Sequence, residues 1–205
     1  MAEIINFQSE NIDKIVQKFQ AGLIVAFPTD TVYGVGVSLN NRDVIKRFYD
    51  LKSRPSDKPS QILISDNEML YKYVDQVSMQ TELLIERYWP GALTLVFNAT
   101  SDVPPRILQD NSVGVRMPNY PLLQEVIAKL GCPIVTASAN FAGEEAPTSF
   151  ESLNPDFVKD IDVIVSGPIL LNQESSVVDV REAEIKMLRE GVIKASDIKQ
   201  TGIIT

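Results

Sequence analysis

Apolar positions along the chain follow two spacings, one typical of amphipathic helices and one typical of short strands. The helical spacing predicts helices at Gln8–Gln20, Asn41–Leu51, Asn67–Val77, Met79–Tyr88 and Pro121–Leu130, and a helical turn at Ser196–Lys199. Compact apolar runs predict strands at Leu23–Phe27, Val32–Val37, Gln61–Ile64, Leu93–Phe97, Val113–Met117, Pro133–Thr136, Val163–Val165, Val177–Val180 and Ile185–Leu188. Because hairpin-like and crossover connections alternate, this order predicts an α/β fold with a mixed sheet.

Length and composition narrow the class of protein. A chain of 205 residues with 44% hydrophobic and 22% charged residues is expected to form a single globular domain. No apolar run reaches the roughly 18 residues that cross a bilayer, and the N-terminus does not resemble a signal peptide. The single cysteine, Cys132, cannot form an internal disulfide, fits a reducing cytoplasm, and is predicted to be buried because its neighbours are apolar.

The chain contains no histidine, which removes several mechanisms at once. A Ser-His-Asp triad, a Cys-His pair and a histidine-ligated metal are all excluded. A net charge of −8 argues against broad nonspecific binding of nucleic acid. Any recognition of phosphate must therefore depend on a small cluster of cations and not on an extended basic surface.

The first candidate for such recognition is the pair of cations Lys52 and Arg54, which follows a predicted helix. Pro55 favours an extended backbone at Arg54, so the two side chains project to the same side. Arginine offers a planar fork to phosphate oxygens, and lysine a mobile charge. The alternative is a solvated basic end of the helix, stabilised by the helix dipole.

Two polar runs adjoin predicted strands. Pro28–Gly34 joins two strands and presents hydroxyls and a carboxylate at a sheet edge, where ligands commonly bind. Thr136–Asn140 follows another strand, with Ser138 and Asn140 on the same side. Ordinary turn and capping chemistry explains either run equally well. Neither a dinucleotide-binding glycine fingerprint nor a P-loop is present.

Arg116 ends a strand that is predicted to be buried. A buried arginine needs an anionic partner, which is either a protein carboxylate or a carboxylate of a ligand. Arg189, within Leu188–Gly191, also follows a predicted strand, but its sequence context is a weaker indication of an anionic partner. The serines of Glu174–Ser176 are accounted for by turn chemistry alone.

Taken together, these motifs resemble the threonylcarbamoyl-adenylate synthase (YrdC-like) family in its short, single-domain form. The matching segments keep the order of the family's motifs from about residue 8 to residue 195. They are Pro28–Gly34, Lys52–Pro55 with Pro59, Tyr88–Gly91 with Leu93 and Thr94, Val115–Pro118, Ser138–Asn140 with Gly143, Pro147 and Thr148, Glu174–Asp179 and Leu188–Gly191.

The resemblance implies one YrdC-like domain over residues 1–205, with a twisted, mixed, open sheet, flanking helices and a concave, positively lined cavity. It implies that L-threonine, bicarbonate and ATP become threonylcarbamoyl-adenylate and pyrophosphate, with Mg²⁺ carried by the ATP phosphates and no metal ligands from the protein. A partner enzyme complex would transfer the threonylcarbamoyl group to tRNA, and weak binding of tRNA itself is compatible with the likeness.

The resemblance also assigns roles to residues. The catalytic residues, which would also hold ATP, are Lys52, Arg54, Ser138 and Asn140. Further contacts to ATP are Ser112 and Arg189, with Lys58 and Ala146 at the edges of the same site. The threonine-binding residues are Thr31, Arg116, Thr136, and Ser175 or Ser176, with Arg116 facing the threonine carboxylate.

Some positions depart from the family pattern. Leu63 stands where many members carry a histidine, Ser175-Ser176 replaces a serine-threonine pair, and Lys58 replaces a common asparagine. Leu63 therefore raises the alternative of a relative that keeps the fold and the phosphate cavity without the synthase activity. An RNA-binding module is a second alternative, against which count the acidic charge and the lack of interleaved exposed aromatic residues.

Overall fold

The computed structural model describes residues 2–52 and 60–199. Its helices are α1 (Ile12–Gln20), α2 (Arg42–Leu51), α3 (Asn67–Tyr73), α4 (Met79–Tyr88), α5 (Pro121–Leu130), α6 (Pro155–Val158) and α7 (Ala195–Lys199), with 3-10 turns at Ser9–Asn11 and Pro105–Ile107. Its strands are β1 (Glu3–Asn6), β2 (Val25–Phe27), β3 (Gly34–Ser38), β4 (Gln61–Leu63), β5 (Leu93–Asn98), β6 (Ser112–Arg116), β7 (Ile134–Ser138), β8 (Val163–Ser166), β9 (Ser176–Asp179) and β10 (Lys186–Arg189).

The strands form one open sheet in the order β1-β8-β2-β3-β7-β4-β6-β5-β9-β10. The sheet contains both parallel pairs, such as β1 with β8 and β4 with β6, and antiparallel pairs, such as β3 with β7 and β5 with β6. The predicted α/β fold with a mixed sheet is therefore confirmed. Chain neighbours often lie apart in the sheet, so the central strands gather residues from distant parts of the sequence.

Helices cover the sheet unequally on its two faces. On β7, Ile134 belongs to an apolar cluster with helices α1 and α5, whereas the next residue, Val135, belongs to the larger cluster with α2, α3 and α4. Successive strand residues point to opposite faces, so the two clusters lie on opposite sides of the sheet. Helices α1 and α5 pack on β1, β8 and β2 and reach β7 and β4, which leaves the same face open over β6, β5 and β9.

Several predicted boundaries shift for local reasons. Helix α1 begins at Ile12 because the residues before it form a 3-10 turn. Helix α3 ends at Tyr73 because Val74 is extended and bridges to Ala99. Strand β7 continues to Ser138 because it pairs along the whole of β3. Strand β1 was missed by the sequence prediction, and so were α6 and the 3-10 turn at Pro105–Ile107.

The predicted burial of Cys132 is confirmed. The thiol of Cys132 is buried and lies 3.2 Å from the hydroxyl of Ser38. Asn41 caps α2 by accepting a hydrogen bond from the backbone N–H of Val44. Within residues 2–52 and 60–199, none of the helices combines the length and the apolar character that a membrane span requires.

Replacing Asp162 with alanine is expected to lower the free energy of unfolding by about 1–2 kcal/mol. Its carboxylate accepts two hydrogen bonds from Arg47 on α2, at 2.8 and 2.9 Å, and one from the backbone N–H of Ile24 at 2.8 Å. Arg47 is half exposed, so the lost partner of Ile24 dominates the cost. Urea unfolding measures the change, and Asp160→Ala, two residues away and exposed, is the matched control. Equal midpoints for the two variants would contradict the prediction.

Candidate functional site

A cavity of about 440 Å³ lies over the end of β7, the start of β4, and β6, β5 and β9. It borders the part of the same sheet face that α1 and α5 cover. Alternate strand residues form its floor, since every second side chain points to the same face. These floor residues are Thr136 and Ser138 of β7, Gln61 of β4, Gly114 and Arg116 of β6, Thr94 and Val96 of β5, and Ser175 and Val177 at β9.

Strand register places these residues in rows. Gln61 lies opposite Thr136 on one side and opposite Gly114 on the other, and Gly114 lies opposite Val96. Residues paired across neighbouring strands have Cβ atoms about 4.5–5.5 Å apart. The floor is therefore a continuous surface that mixes polar and small side chains, on which an extended ligand can lie.

Arg116 forms a buried ion pair with Asp30. Its Nη2 atom donates to Oδ1 of Asp30 at 2.5 Å, and its Nη1 atom donates to the hydroxyl of Thr31 at 2.8 Å. Both charged side chains are about 2% exposed. Of the two partners that the sequence left open for this arginine, a protein carboxylate is thus present. Arg116 also lines the cavity, so the same cation faces the ligand space.

This ion pair is incompletely satisfied. Among the described residues, Nε of Arg116 and Oδ2 of Asp30 are buried without a hydrogen-bond partner. Burial lowers the pKa of Arg116 from its ordinary value, the charge of Arg189 acts in the same direction, and the adjacent Asp30 opposes both. A second anion near Arg116 would favour its charged form further.

Lys52 lies at another side of the cavity and is buried. Its ammonium donates to the carbonyl oxygen of Ser138 at 2.6 Å and to the carbonyl oxygen of Asn140, and it lies 5.2 Å from the centre of the Phe157 ring. The side-chain amide of Asn140 donates to the backbone oxygen of Glu144 at 2.6 Å. Lys52 therefore holds the end of β7 and the loop after it in place while bringing a positive charge to the cavity.

Arg189, at the end of β10, also lines the cavity. It donates to the carboxylate of Glu174 at 2.9 Å, to the backbone oxygen of Ser175 at 2.9 and 3.1 Å, and to the hydroxyl of Ser175 at 3.3 Å. Ser175 lines the cavity, whereas the neighbouring Ser176 does not. The hydroxyl of Ser176 donates to Ile193 and accepts from the N–H of Gly191, so it organises the loop behind the site.

The charges that line the cavity are mixed. Among the described lining residues, three are cations and two are carboxylates: Lys52, Arg116 and Arg189 against Glu144 and Glu174. These described residues therefore carry an excess of one positive charge. Arg54 and Lys58, which the sequence adds to the phosphate site, lie outside the described residues.

The structure brings together most of the predicted site. The residues that line the cavity are Thr31, Lys52, Arg116, Thr136, Ser138, Asn140, Ser175 and Arg189. The predicted residues that do not line it are Ser112, Ala146 and Ser176. Ser112 lies on the same face of β6 as Gly114, and its hydroxyl donates to the carbonyl oxygen of Gln109. Ala146 lies in the loop after β7, beyond the lining segment.

Leu63 also lies outside the cavity lining. It is 1% exposed and packs in the apolar cluster with Phe27 and Ile134. Sequence reasoning overlooked Gln61, two residues earlier on the same strand, because a single polar residue at the start of a short strand carries no local signal.

Comparison with known proteins identifies the family to which this fold and cavity belong. A family model for Sua5, YciO and YrdC, described as "Telomere recombination", matches residues 17–191. This chain belongs to the Sua5/YciO/YrdC family. The match includes every described residue of the cavity floor, so the site lies within the part of the chain that defines the family.

Members of the Sua5/YciO/YrdC family with curated names align with most of this chain. A threonylcarbamoyl-AMP synthase of Pyrococcus abyssi is 35% identical over 208 residues, which cover 98% of this chain and 61% of that protein. A threonylcarbamoyl-AMP synthase of Bacillus subtilis is 37% identical over 179 residues, which cover 86% of this chain and 52% of that protein. The chain thus spans between half and two thirds of these two relatives.

A solved Sua5 structure shares the fold. The crystal structure of P. abyssi Sua5 complexed with L-threonine matches with a TM-score of 0.90 and 34% identity, over 96% of this chain and 60% of that one. The predicted membership of the family and the predicted fold are therefore both confirmed.

Proposed function

We propose that this chain is an L-threonylcarbamoyladenylate synthase, a nucleotidyltransferase that uses L-threonine, bicarbonate and ATP. The observation that carries the proposal is a cavity lined by two cations with separate partners, in a fold that matches Sua5 bound to L-threonine. Lys52 bonds to the end of β7, and Arg116 bonds to Asp30 and Thr31. Two separate cations suit a substrate pair with two anionic groups, a triphosphate and an amino-acid carboxylate.

In this proposal the ATP phosphates lie near Lys52, Ser138 and Asn140. These residues converge at the end of β7, where the loop after the strand supplies backbone and side-chain polar groups. Arg54 and Lys58 would add positive charge from the segment between Lys52 and β4. Arg189 would contact the nucleotide from the side of β10.

Threonine lies at Arg116 in this proposal. Arg116 already bonds to Asp30 and Thr31, so its guanidinium is held in one orientation before any ligand arrives. Its Nε atom, which has no hydrogen-bond partner among the described residues, provides a further donor. Thr136 and Ser175, also on the floor, supply hydroxyl groups. A preorganised site costs less conformational entropy on binding than a mobile one.

The reaction needs no nucleophile from the protein. The threonine amine combines with bicarbonate, losing water, to form a carbamate. A carbamate oxygen then attacks the α-phosphorus of ATP, a new P–O bond forms, and pyrophosphate leaves with the electrons of the broken P–O bond. The residues of the cavity hold the two reactants close together and stabilise the charge that develops on the phosphates. A chain without histidine is compatible with this chemistry.

Magnesium would enter with ATP, since it prefers phosphate oxygens and water over an all-protein site. When bound, it neutralises phosphate charge. The lining carboxylates Glu144 and Glu174 are hard oxygen donors of the kind that it accepts. The product would pass to a separate enzyme complex that modifies tRNA, and the cytoplasm is the proposed compartment.

Incubating the protein with ATP, Mg²⁺, bicarbonate and L-threonine is expected to yield threonylcarbamoyl-adenylate and pyrophosphate in equal amounts, as measured by mass spectrometry and a pyrophosphate assay. Omission of threonine or bicarbonate is the matched control. Pyrophosphate release that ignores both omissions would overturn the proposal. ATP binding without any product would favour a relative that lacks synthase activity. A salt-dependent affinity for RNA that exceeds the affinity for ATP would favour the RNA-binding alternative.

A further inference from the structure

Gln61 reaches across the floor of the cavity. It begins β4, and its Oε1 atom accepts a hydrogen bond of 3.1 Å from the hydroxyl of Thr94 on β5. Strand β6 lies between these two strands. Neighbouring strands are about 4.8 Å apart, so Gln61 and Thr94 approach each other across a backbone separation of about 10 Å.

Gly114 on β6 makes this approach possible. It pairs with Gln61 in the parallel register of β4 and β6. A Cβ atom at this glycine would lie 3.2 Å from Cγ2 of Thr94 and 3.4 Å from Cβ of Gln61. The space above Gly114 is thus occupied by the two side chains that meet over it.

The contact belongs to a chain of hydrogen bonds that starts at Arg189. The guanidinium of Arg189 lies 3.3 Å from the hydroxyl of Ser175, which lies 3.0 Å from the hydroxyl of Thr94. Arginine can only donate, so Ser175 accepts at the first step. The remaining steps lead from Ser175 through Thr94 to the carboxamide of Gln61.

Burial determines which group donates and which accepts in this series of hydrogen bonds. Ser175 and Thr94 are each 2% exposed, so both hydroxyl protons need acceptors. Both are satisfied when Ser175 donates to Thr94 and Thr94 donates to Oε1 of Gln61. In the reverse direction, the proton of Ser175 would lack an acceptor among the described residues. The oxygen of the Gln61 carboxamide is therefore directed to Thr94, and its NH₂ group is directed elsewhere.

We propose that Gln61 is a substrate-binding residue whose NH₂ group donates to an oxygen of the ligand that only accepts hydrogen bonds. A carboxylate, carbamate or phosphoryl oxygen has this chemistry. Among the described residues, no acceptor bonds to this NH₂ group, and Gln61 lines the cavity. The proposal rests on the proposed function for the identity of the ligands, and it adds a residue to which neither the motifs nor the comparisons assign a role.

The variants Gln61→Glu and Gln61→Met test whether residue 61 donates a hydrogen bond to the ligand or accepts one from it. Glutamate keeps an oxygen for Thr94 but loses both donors and adds a negative charge, whereas methionine is apolar and of similar length. We expect Gln61→Glu to weaken binding by roughly ten- to a hundredfold, and Gln61→Met to weaken it less. Calorimetry with L-threonine alone and with Mg²⁺–ATP alone measures the effect, and the ligand whose affinity falls carries the recognised oxygen.

Two further variants complete the test. Gln80→Glu adds the same charge on the exposed start of α4 and is expected to leave both affinities unchanged. Thr94→Val leaves Gln61 in place but removes the donor that orients it, so an intermediate loss is expected. Should Gln61→Glu fail to fold, Gln61→Met and Thr94→Val still decide the matter.

Unchanged affinities in all three cavity variants would overturn the role of Gln61. Tighter binding by Gln61→Glu would overturn it too, because the carboxamide oxygen would then face the ligand. Both results leave the proposed synthase function intact. A wild-type protein that binds neither L-threonine nor Mg²⁺–ATP would overturn the proposed function and this proposal together.

Discussion

Replacing Arg116 with alanine is expected to reduce formation of threonylcarbamoyl-adenylate by about 10²- to 10³-fold and to weaken threonine binding more than ATP binding. The guanidinium is the cation that faces the proposed threonine subsite, whereas Lys52 serves the proposed phosphate subsite. The change also leaves Asp30 charged and buried without its partner, which is expected to lower the free energy of unfolding by about 3–5 kcal/mol. Calorimetry with each ligand and urea unfolding measure the two effects separately.

A double variant separates binding from stability. In Arg116→Met combined with Asp30→Asn, the buried charge is gone, so most of the lost stability is expected to return. Threonine binding is expected to remain weak, because no cation faces the carboxylate. Recovery of product formation together with stability would show that Arg116 only supports the fold. Equal losses of threonine and ATP affinity in Arg116→Ala would show that its assignment to threonine is wrong.

Replacing Lys52 with methionine is expected to reduce ATP affinity and to lower product formation by about 10²- to 10³-fold. The ammonium brings positive charge to the proposed phosphate subsite, and its bonds to the carbonyl oxygens of Ser138 and Asn140 hold the end of β7. Methionine preserves much of the length and the contact with Phe157. The variant therefore loses mainly the positive charge and its hydrogen bonds. Calorimetry with Mg²⁺–ATP measures the change in ATP affinity, and the product assay measures the change in product formation.

Lys46→Met is the matched control for this variant. Lys46 lies on α2, the helix that ends just before Lys52, and its exposed side chain pairs only weakly with Asp50, at 3.5 Å. A pair of this kind contributes about 0–1 kcal/mol, so ATP affinity and product formation are expected to stay at wild-type values. A folded Lys52→Met protein with the ATP affinity of the Lys46→Met control would contradict the role given to Lys52.

The helices and the inner strands were predicted well because their signals are local. Helices α4 and α5 have the predicted bounds, since Ser78 caps the first and Pro121 begins the second. Strand β1 was missed because it has only four residues and obtains its stability from pairing with β8, some 160 positions further along the chain. Helix α3 ends early because Val74 pairs with Ala99, a contact that periodicity cannot reveal.

The sequence predicted which side chains contribute to the candidate site better than it predicted where each of them lies. The motifs identified most of the side chains that line the cavity. Alternation along β9 separates Ser175, on the floor, from Ser176, behind it, and the sequence had left this pair unresolved. Leu63, which stands where many family members carry a histidine, packs in the apolar core. The role proposed for Gln61 depends on a contact two strands away.

The family, the mixed α/β class and the chemistry open to a chain without histidine were all predictable from the sequence. Short motifs in a fixed order carry that information, as do the residue types that are present or missing. The pairing of Arg116 with Asp30, 86 positions away, and the contact of Gln61 with Thr94 above Gly114 emerged only in the folded protein. Both depend on the order of strands in the sheet. Local periodicity predicts each strand, but long-range pairing alone determines which strands become neighbours.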